Sequence, residues 1–277
     1  MNIKEIQQAL ISQGYFSEEQ VQQPAKLKAA KLNKADRKKD YYSLNRYLSN
    51  SAMGQMQTQK KLHNFLEREQ EETKALRLGR AYHSAILEPQ FFDTDYCIKP
   101  NARSKAGKAE LEALEQEGKE LLSQTEYEAI KDLKENTNFE ILNNCLYEQS
   151  VFFELEGVPC KSKVDAIAKN KSYFVDLKFV RDASPYAFQY AFQKYNYDRQ
   201  LAFYKLGLEA NVLLKPNAKV YILAVEKESP YDFGLYEVSE NTLLSAEAKI
   251  RKGLDFWKEY SKTDKSNLAS YQVTKKL

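Results

Sequence analysis

The amino-acid sequence predicts an α+β chain with a central mixed sheet flanked by helices. Three observations carry that expectation. Residues 147–179 contain three β-prone runs joined by short turns, the pattern of an antiparallel meander. Segments with apolar residues at helical spacing lie on both sides of them. Two further strands follow a long helical stretch, which gives an α+β or mixed-sheet core.

The elements follow in order. Residues 1–23 read as short polar helices, with Ile3, Ile6, Leu10 and Ile11 at helical spacing and Gly14 as a stop. Pro24 opens a basic stretch of Lys26, Lys28, Lys31, Lys34, Arg37, Lys38 and Lys39, either a solvated helix or linker or a phosphate-contacting arm. The pattern becomes globular at Tyr41. Ser49-Asn50-Ser51 has the chemistry of a helix N-cap, and a helix through about Leu66 is expected to follow. Thr73–Leu87 is a second helix, ended by Pro89, and residues 104–138 suit a surface helical pair. The meander comprises Tyr147–Leu155, a turn at Gly157, Val158–Ala168, a turn at Lys169-Asn170-Lys171, and Ser172–Phe179. A long helix over about Pro185–Leu208 precedes strands at Ala218–Val225 and Asp232–Glu237, and a helix over about Glu240–Tyr260 carries the single Trp257. The expected organisation is an extension over 1–40, a domain over 41–265 and a loose tail over 266–277.

Composition narrows the class. In 277 residues, 43% are hydrophobic and 29% charged, enough for a sizeable core under a well-solvated surface. The net charge of +3, from 42 basic and 39 acidic residues, is compatible with acids at a metal surrounded by bases. Cys97, Cys145 and Cys160 form no CxxC pair, so neither a disulfide framework nor a zinc site is expected, and free thiols are. With no long apolar run and no apolar leader, the expected setting is soluble and cytoplasmic, without a membrane partner.

The sharpest chemical signal lies in the meander. One strand reads Lys161-Ser162-Lys163-Val164-Asp165 and the next Val175-Asp176-Leu177-Lys178. Residues two apart on a strand share a face, so Asp176 and Lys178 project together, and the hairpin returns Asp165 toward them. Glu148 on the preceding strand can add a third carboxylate. Hard carboxylate oxygens hold Mg²⁺, and a cation so held acidifies water and stabilises charge on a reacting phosphodiester. A lysine beside it can orient that water. Asp-x-Lys alone also describes a surface ion pair. His83 is one of two histidines and reads either as a packed helix residue or as a ligand better suited to Mn²⁺ than Mg²⁺. Gln200 and Tyr204 are four apart and share a helix face, either a packed amphipathic edge or a pair leaning over the metal site.

Five blocks in order resemble the exonuclease VIII (RecE) type of PD-(D/E)XK nuclease, related to the RecB nuclease domain. They are Tyr47-Leu48-Ser49-Asn50-Ser51; Gly79 to Pro89 with His83; Glu148 before an apolar strand; Lys161 to Asp165 with Asp176 to Lys178; and Gln200 to Tyr204. The resemblance implies a restriction-endonuclease-like core over 41–265. It implies His83, Glu148, Asp165 and Asp176 as metal-site residues, Lys178 as catalytic, and Gln200 and Tyr204 as substrate-positioning. It implies Mg²⁺-dependent (or Mn²⁺-dependent) 5′-to-3′ digestion of linear double-stranded DNA, phage or prophage origin, a homo-oligomeric ring and a single-strand annealing partner. A structure-specific or single-strand nuclease, and a non-catalytic DNA-binding recombination protein, are the alternatives. Val164 stands where relatives often have proline, and Phe179-Val180 replaces the more usual threonines.

Overall fold

The computed structural model describes Tyr41, residues 44–67, residues 73–266 and Leu268. The helices and basic stretch expected over 1–40, and the end of the tail, lie outside the described residues.

A five-stranded sheet forms the centre. Its strands are β3 (Cys145–Leu155), β4 (Val158–Ala168), β5 (Tyr173–Val180), β6 (Lys219–Glu226) and β7 (Phe233–Glu237), in that spatial order. Only the β5–β6 pair is parallel. The mixed sheet expected from the sequence is therefore present, and helices cover both faces of it.

The meander owes its register to turn chemistry. The β3–β4 hairpin closes through Glu156 and Gly157 at φ 50° and 79°. Two positive φ values match the right-handed twist of the flanking strands. Arg251 and Lys258 hold the Glu156 carboxylate at 2.5 and 3.2 Å. Before β5, Asn170 Oδ1 accepts from the Ser172 amide at 3.0 Å, an Asx turn that leaves Lys171 free to adopt φ 63°.

One face of the sheet packs on α1 (Asn50–Met53), α2 (Gln59–Glu67), α8 (Tyr197–Ala210) and α9 (Glu240–Lys262), through residues such as Leu62, Phe203 and Trp257. The other packs on α3 (Lys74–Leu87), α4 (Pro89–Asp95) and α6 (Gln124–Asn136), through Tyr82, Phe92 and Leu133. Helix α8 sits close on β3. A Cβ at Gly207 would meet the Phe153 ring at 2.6 Å, so only glycine permits that approach.

Several elements differ from expectation. The helix predicted from Ser49 to Leu66 is two pieces, α1 and α2. Ser49 does cap α1, accepting from the Ala52 amide at 3.2 Å. Asn50 accepts from Arg199 Nε of α8 at 3.0 Å, so the short helix is held from outside rather than extended. Thr73 caps α3 as its position predicts. Pro89 ends α3 but also opens α4, because proline at a first helical position forfeits no hydrogen bond. The pair over 104–138 is α5 (Lys105–Gln116) and α6, with the small parallel sheet of β1 (Tyr96–Ile98) and β2 (Glu120–Leu122) tying them in. The long helix over 185–208 is broken into α7 (Pro185–Lys194) and α8 by Asn196 at φ 52°. Asparagine tolerates this left-handed conformation, and Lys249 Nζ fixes it by donating to Asn196 Oδ1 at 3.0 Å. All three cysteines are free, with Cys145 and Cys160 buried. None of the described helices is long and apolar enough to cross a membrane.

Candidate metal centre and active site

The site is built where β4 and β5 part. Their pairing covers only Ala166 with Val175 and Ile167 with Phe174. Beyond it, the amide of Leu177 donates to Asp165 Oδ2 at 2.7 Å instead of to a carbonyl of β4. The other end of β4 is paired elsewhere, since Leu48 O accepts from the Lys161 amide at 2.8 Å and the Leu48 amide donates to Pro159 O at 2.8 Å. The first sequence block, with Leu48, thus occupies the place β5 vacates. Strand β4 also changes face at the fork. Val164 packs into one core and Ala166 into the other, although residues two apart normally share a face.

Glu148 makes the second irregularity. It adopts φ 52° between the paired positions Tyr147–Ala166 and Gln149–Val164, interrupting the ladder opposite Asp165. A glutamate in this region costs about 1–3 kcal/mol unless its surroundings impose it, and such residues concentrate at functional sites. Here the result is convergence. His83 Nδ1, from α3, lies 3.8 Å from Glu148 Oε1 and 3.8 Å from Asp165 Oδ1. One ligand atom from each of these three residues lies within 4.8 Å of the others.

That donor set fits a divalent cation. Gaps of 3.8 Å are too long for hydrogen bonds. They fall between the separations of cis and trans ligands on an octahedral ion, about 3 and about 4.2 Å for bonds near 2.1 Å. The charge state agrees. Burial pushes the Asp165 carboxyl up to about 6, Asp176 and Glu148 add to that, and His83 and Lys178 work against it. A carboxyl so placed carries a charge that a cation would neutralise. Burial also acts to raise Glu148, but His83 and Lys163 outweigh it and hold the carboxyl down at about 2. Burial disfavours charge on His83, yet Asp165 and Glu148 prevail and raise its pKa above the ordinary value.

Asp176 is not one of the three mutually close groups. It is 1% exposed, with Oδ2 at 2.5 Å from Lys178 Nζ and Oδ1 accepting from Gln200 Nε2 at 3.1 Å. Gln200 Nε2 also donates to Tyr204 Oη at 3.0 Å. The shared helix face expected for Gln200 and Tyr204 is therefore real, and it lies over Asp176. Burial lowers the pKa of Lys178, but Asp176 and Asp165 reverse this and raise it. Burial pushes the Tyr204 phenol well above its usual range, with Asp176 adding to it.

Two residues of the site escaped sequence reasoning. Lys163 forms an ion pair with Glu148 Oε2. Its signal was present, two positions before Asp165 on the same strand. The Tyr197 ring lies 5.2 Å from Lys178 Nζ, and only its position three residues before Gln200 hinted at that.

A buried acid pair, a lysine two residues beyond the second acid, and a sheet that forks between them define the class of a restriction-endonuclease-like domain. Residues 49–270 match the family model described as "PDDEXK-like domain of unknown function (DUF3799)", and the chain belongs to that family. No curated protein matches the sequence. Among solved structures, a protein from Eubacterium rectale described provisionally as an exonuclease superposes with a TM-score of 0.59 at 15% identity, over 83% of this chain and 88% of its own. That likeness supports the fold. A second structure, SSO0001, aligns at a TM-score of 0.28 and 16% identity, over 73% of this chain and 85% of its own, and carries no weight.

Proposed function

We propose that this protein is a metal-dependent exonuclease acting on linear double-stranded DNA, with the 5′-to-3′ polarity and recombination setting of the RecE type. The observation that carries the reading is the gathering of His83, Glu148 and Asp165 at the fork, beside the ion pair of the buried Asp176 with Lys178. His83, Glu148 and Asp165, with Asp176 adjoining, would hold Mg²⁺ or Mn²⁺. A divalent cation there supplies acidified water and charge neutralisation at the phosphodiester.

The chain's own groups do the rest. Lys178 keeps its proton at neutral pH because two carboxylates hold its pKa up. It therefore serves as a donor at Nζ, to a phosphate oxygen or to the attacking water, rather than as a base. Gln200 and Tyr204 fix the rotamer of Asp176 from above. The resemblance further proposes a homo-oligomer and a single-strand annealing partner. Linear duplex labelled at either end, with and without Mg²⁺, tests the reading. The expected result is early release of the 5′ label, sensitivity to chelator, and no action on covalently closed circles. Nicking of circles or indifference to chelator would overturn it.

The protonation of Asp165 predicts a pH dependence. Below about 6 its carboxyl carries a proton that a cation must displace, whereas Glu148 stays ionised down to about 2. Metal affinity should accordingly fall as pH falls through 6, by about tenfold between pH 7 and pH 5 from Asp165 alone and by more in total, because His83, whose pKa is also raised, must likewise give up a proton. Calorimetric titration with Mn²⁺ at the two pH values checks this. Equal affinities would remove both Asp165 and His83 from the ligand set.

A further inference from the structure

Helix α7 turns Phe188 and Phe192 to the core but keeps Tyr186 and Tyr190 on the outside, and Tyr195 just past its end is exposed as well. Tyr186, Tyr190 and Tyr195 are 88%, 67% and 56% exposed, whereas Phe188 is the buried residue of the helix. Tyr186, Tyr190 and Lys194 follow one another at intervals of four and so share a face. Lys194 Nζ lies 5.7 Å from the Tyr190 ring and 5.4 Å from the Tyr195 ring. From there the stripe runs inward. The Tyr195 and Tyr197 rings are 5.8 Å apart at 30°, and the Tyr197 ring is 5.2 Å from Lys178 Nζ. A run of rings thus connects an exposed helix face with the lysine of the candidate site. No acidic residue occurs between Ala183 and Tyr197, so the stripe's own charged side chain is Lys194, with Asp182 and Asp198 flanking the segment and Glu226 meeting its start at the Ala183 amide.

We propose that this stripe is a stacking track for an unpaired DNA strand, leading from the surface of α7 to Lys178. The inference rests on the nuclease reading and adds to it the form of substrate the site receives. Aromatic faces accept any base, because every base presents a π-face, and a cation among them follows the phosphates. A blunt duplex hides its bases in the stack and offers such rings only its terminal pair. The track therefore distinguishes a single strand, or the unpaired end of a duplex, from an intact one. Continuity with Lys178, and a row of exposed rings whose own charged side chain is the cation Lys194, favour nucleic acid over a second protein copy as the occupant.

The test uses the full chain without metal, so that binding is read apart from hydrolysis. Fluorescence anisotropy with labelled oligo(dT) and with a blunt hairpin duplex, at one salt concentration, compares wild type with Tyr186→Ala/Tyr190→Ala. The double variant is expected to lose about 100-fold in oligo(dT) affinity, about tenfold per ring. Its duplex affinity should stay within about twofold. Tyr186→Phe/Tyr190→Phe should retain oligo(dT) binding, because rings and not hydroxyls do the stacking. Unchanged oligo(dT) affinity in the alanine variant overturns the track. So does a shift of oligomeric state by light scattering with strand binding intact, which would make the face a protomer interface. Digestion of duplex by wild type with unchanged oligo(dT) binding in the variant sinks this inference alone. Ring-dependent oligo(dT) binding without any digestion upholds the track and sinks the nuclease reading alone.

Discussion

Replacing Asp176 is expected to abolish hydrolysis, with a loss of at least about 10³-fold in kcat, and the form of the replacement decides what else is lost. On a half-exposed strand, alanine would remove the carboxylate and spare the fold. Asp176 is instead 1% exposed and paired with the half-buried Lys178. Alanine leaves that ammonium without its counter-ion, and breaking a buried pair from one side costs about 3–5 kcal/mol. Asp176→Ala should therefore be inactive and markedly less stable. Asp176→Asn keeps the volume and the Gln200 contact, with Gln200 free to turn its amide. It should be equally inactive, yet lose less stability than the alanine variant. Thermal melting beside the end-label assay separates the two effects. Appreciable cleavage by the asparagine variant would remove Asp176 from the chemistry.

Lys178→Met should reduce turnover by about 10²–10³-fold while leaving metal binding in place. Methionine keeps an apolar stem against the Tyr197 ring but carries no proton. The ammonium also opposes a cation, since its positive charge works against that of His83. Its removal should therefore leave Mn²⁺ affinity unchanged or raise it, the opposite of a ligand's behaviour. A kcat within tenfold of wild type, or a loss of metal affinity matching that of Asp176→Asn, would show that Lys178 does not act as the donor at the reacting phosphate.

Much of this architecture was legible before any coordinates. Strand β4 coincides with the predicted Val158–Ala168, because Gly157 and the Lys169-Asn170-Lys171 turn delimit it from both sides. Alternation placed Asp176 beside Lys178, and helical spacing placed Gln200 beside Tyr204. Where expectation failed, a distant partner was responsible. The α7–α8 break depends on Lys249 as well as on Asn196, and the separation of α1 from α2 involves Arg199. Nothing near those positions in the chain announces either contact.

The residue types at the site, their order and the faces they share on single elements follow from the sequence alone, because periods of two and 3.6 are properties of the local backbone. The left-handed Glu148, the change of face on β4, the Leu177 amide turned to Asp165 and the approach of His83 do not. They depend on segments far apart in the chain, with Leu48 and β5 sharing one edge of β4, β3 pairing along its other edge and His83 brought in on α3, a meeting that only the assembled fold decides.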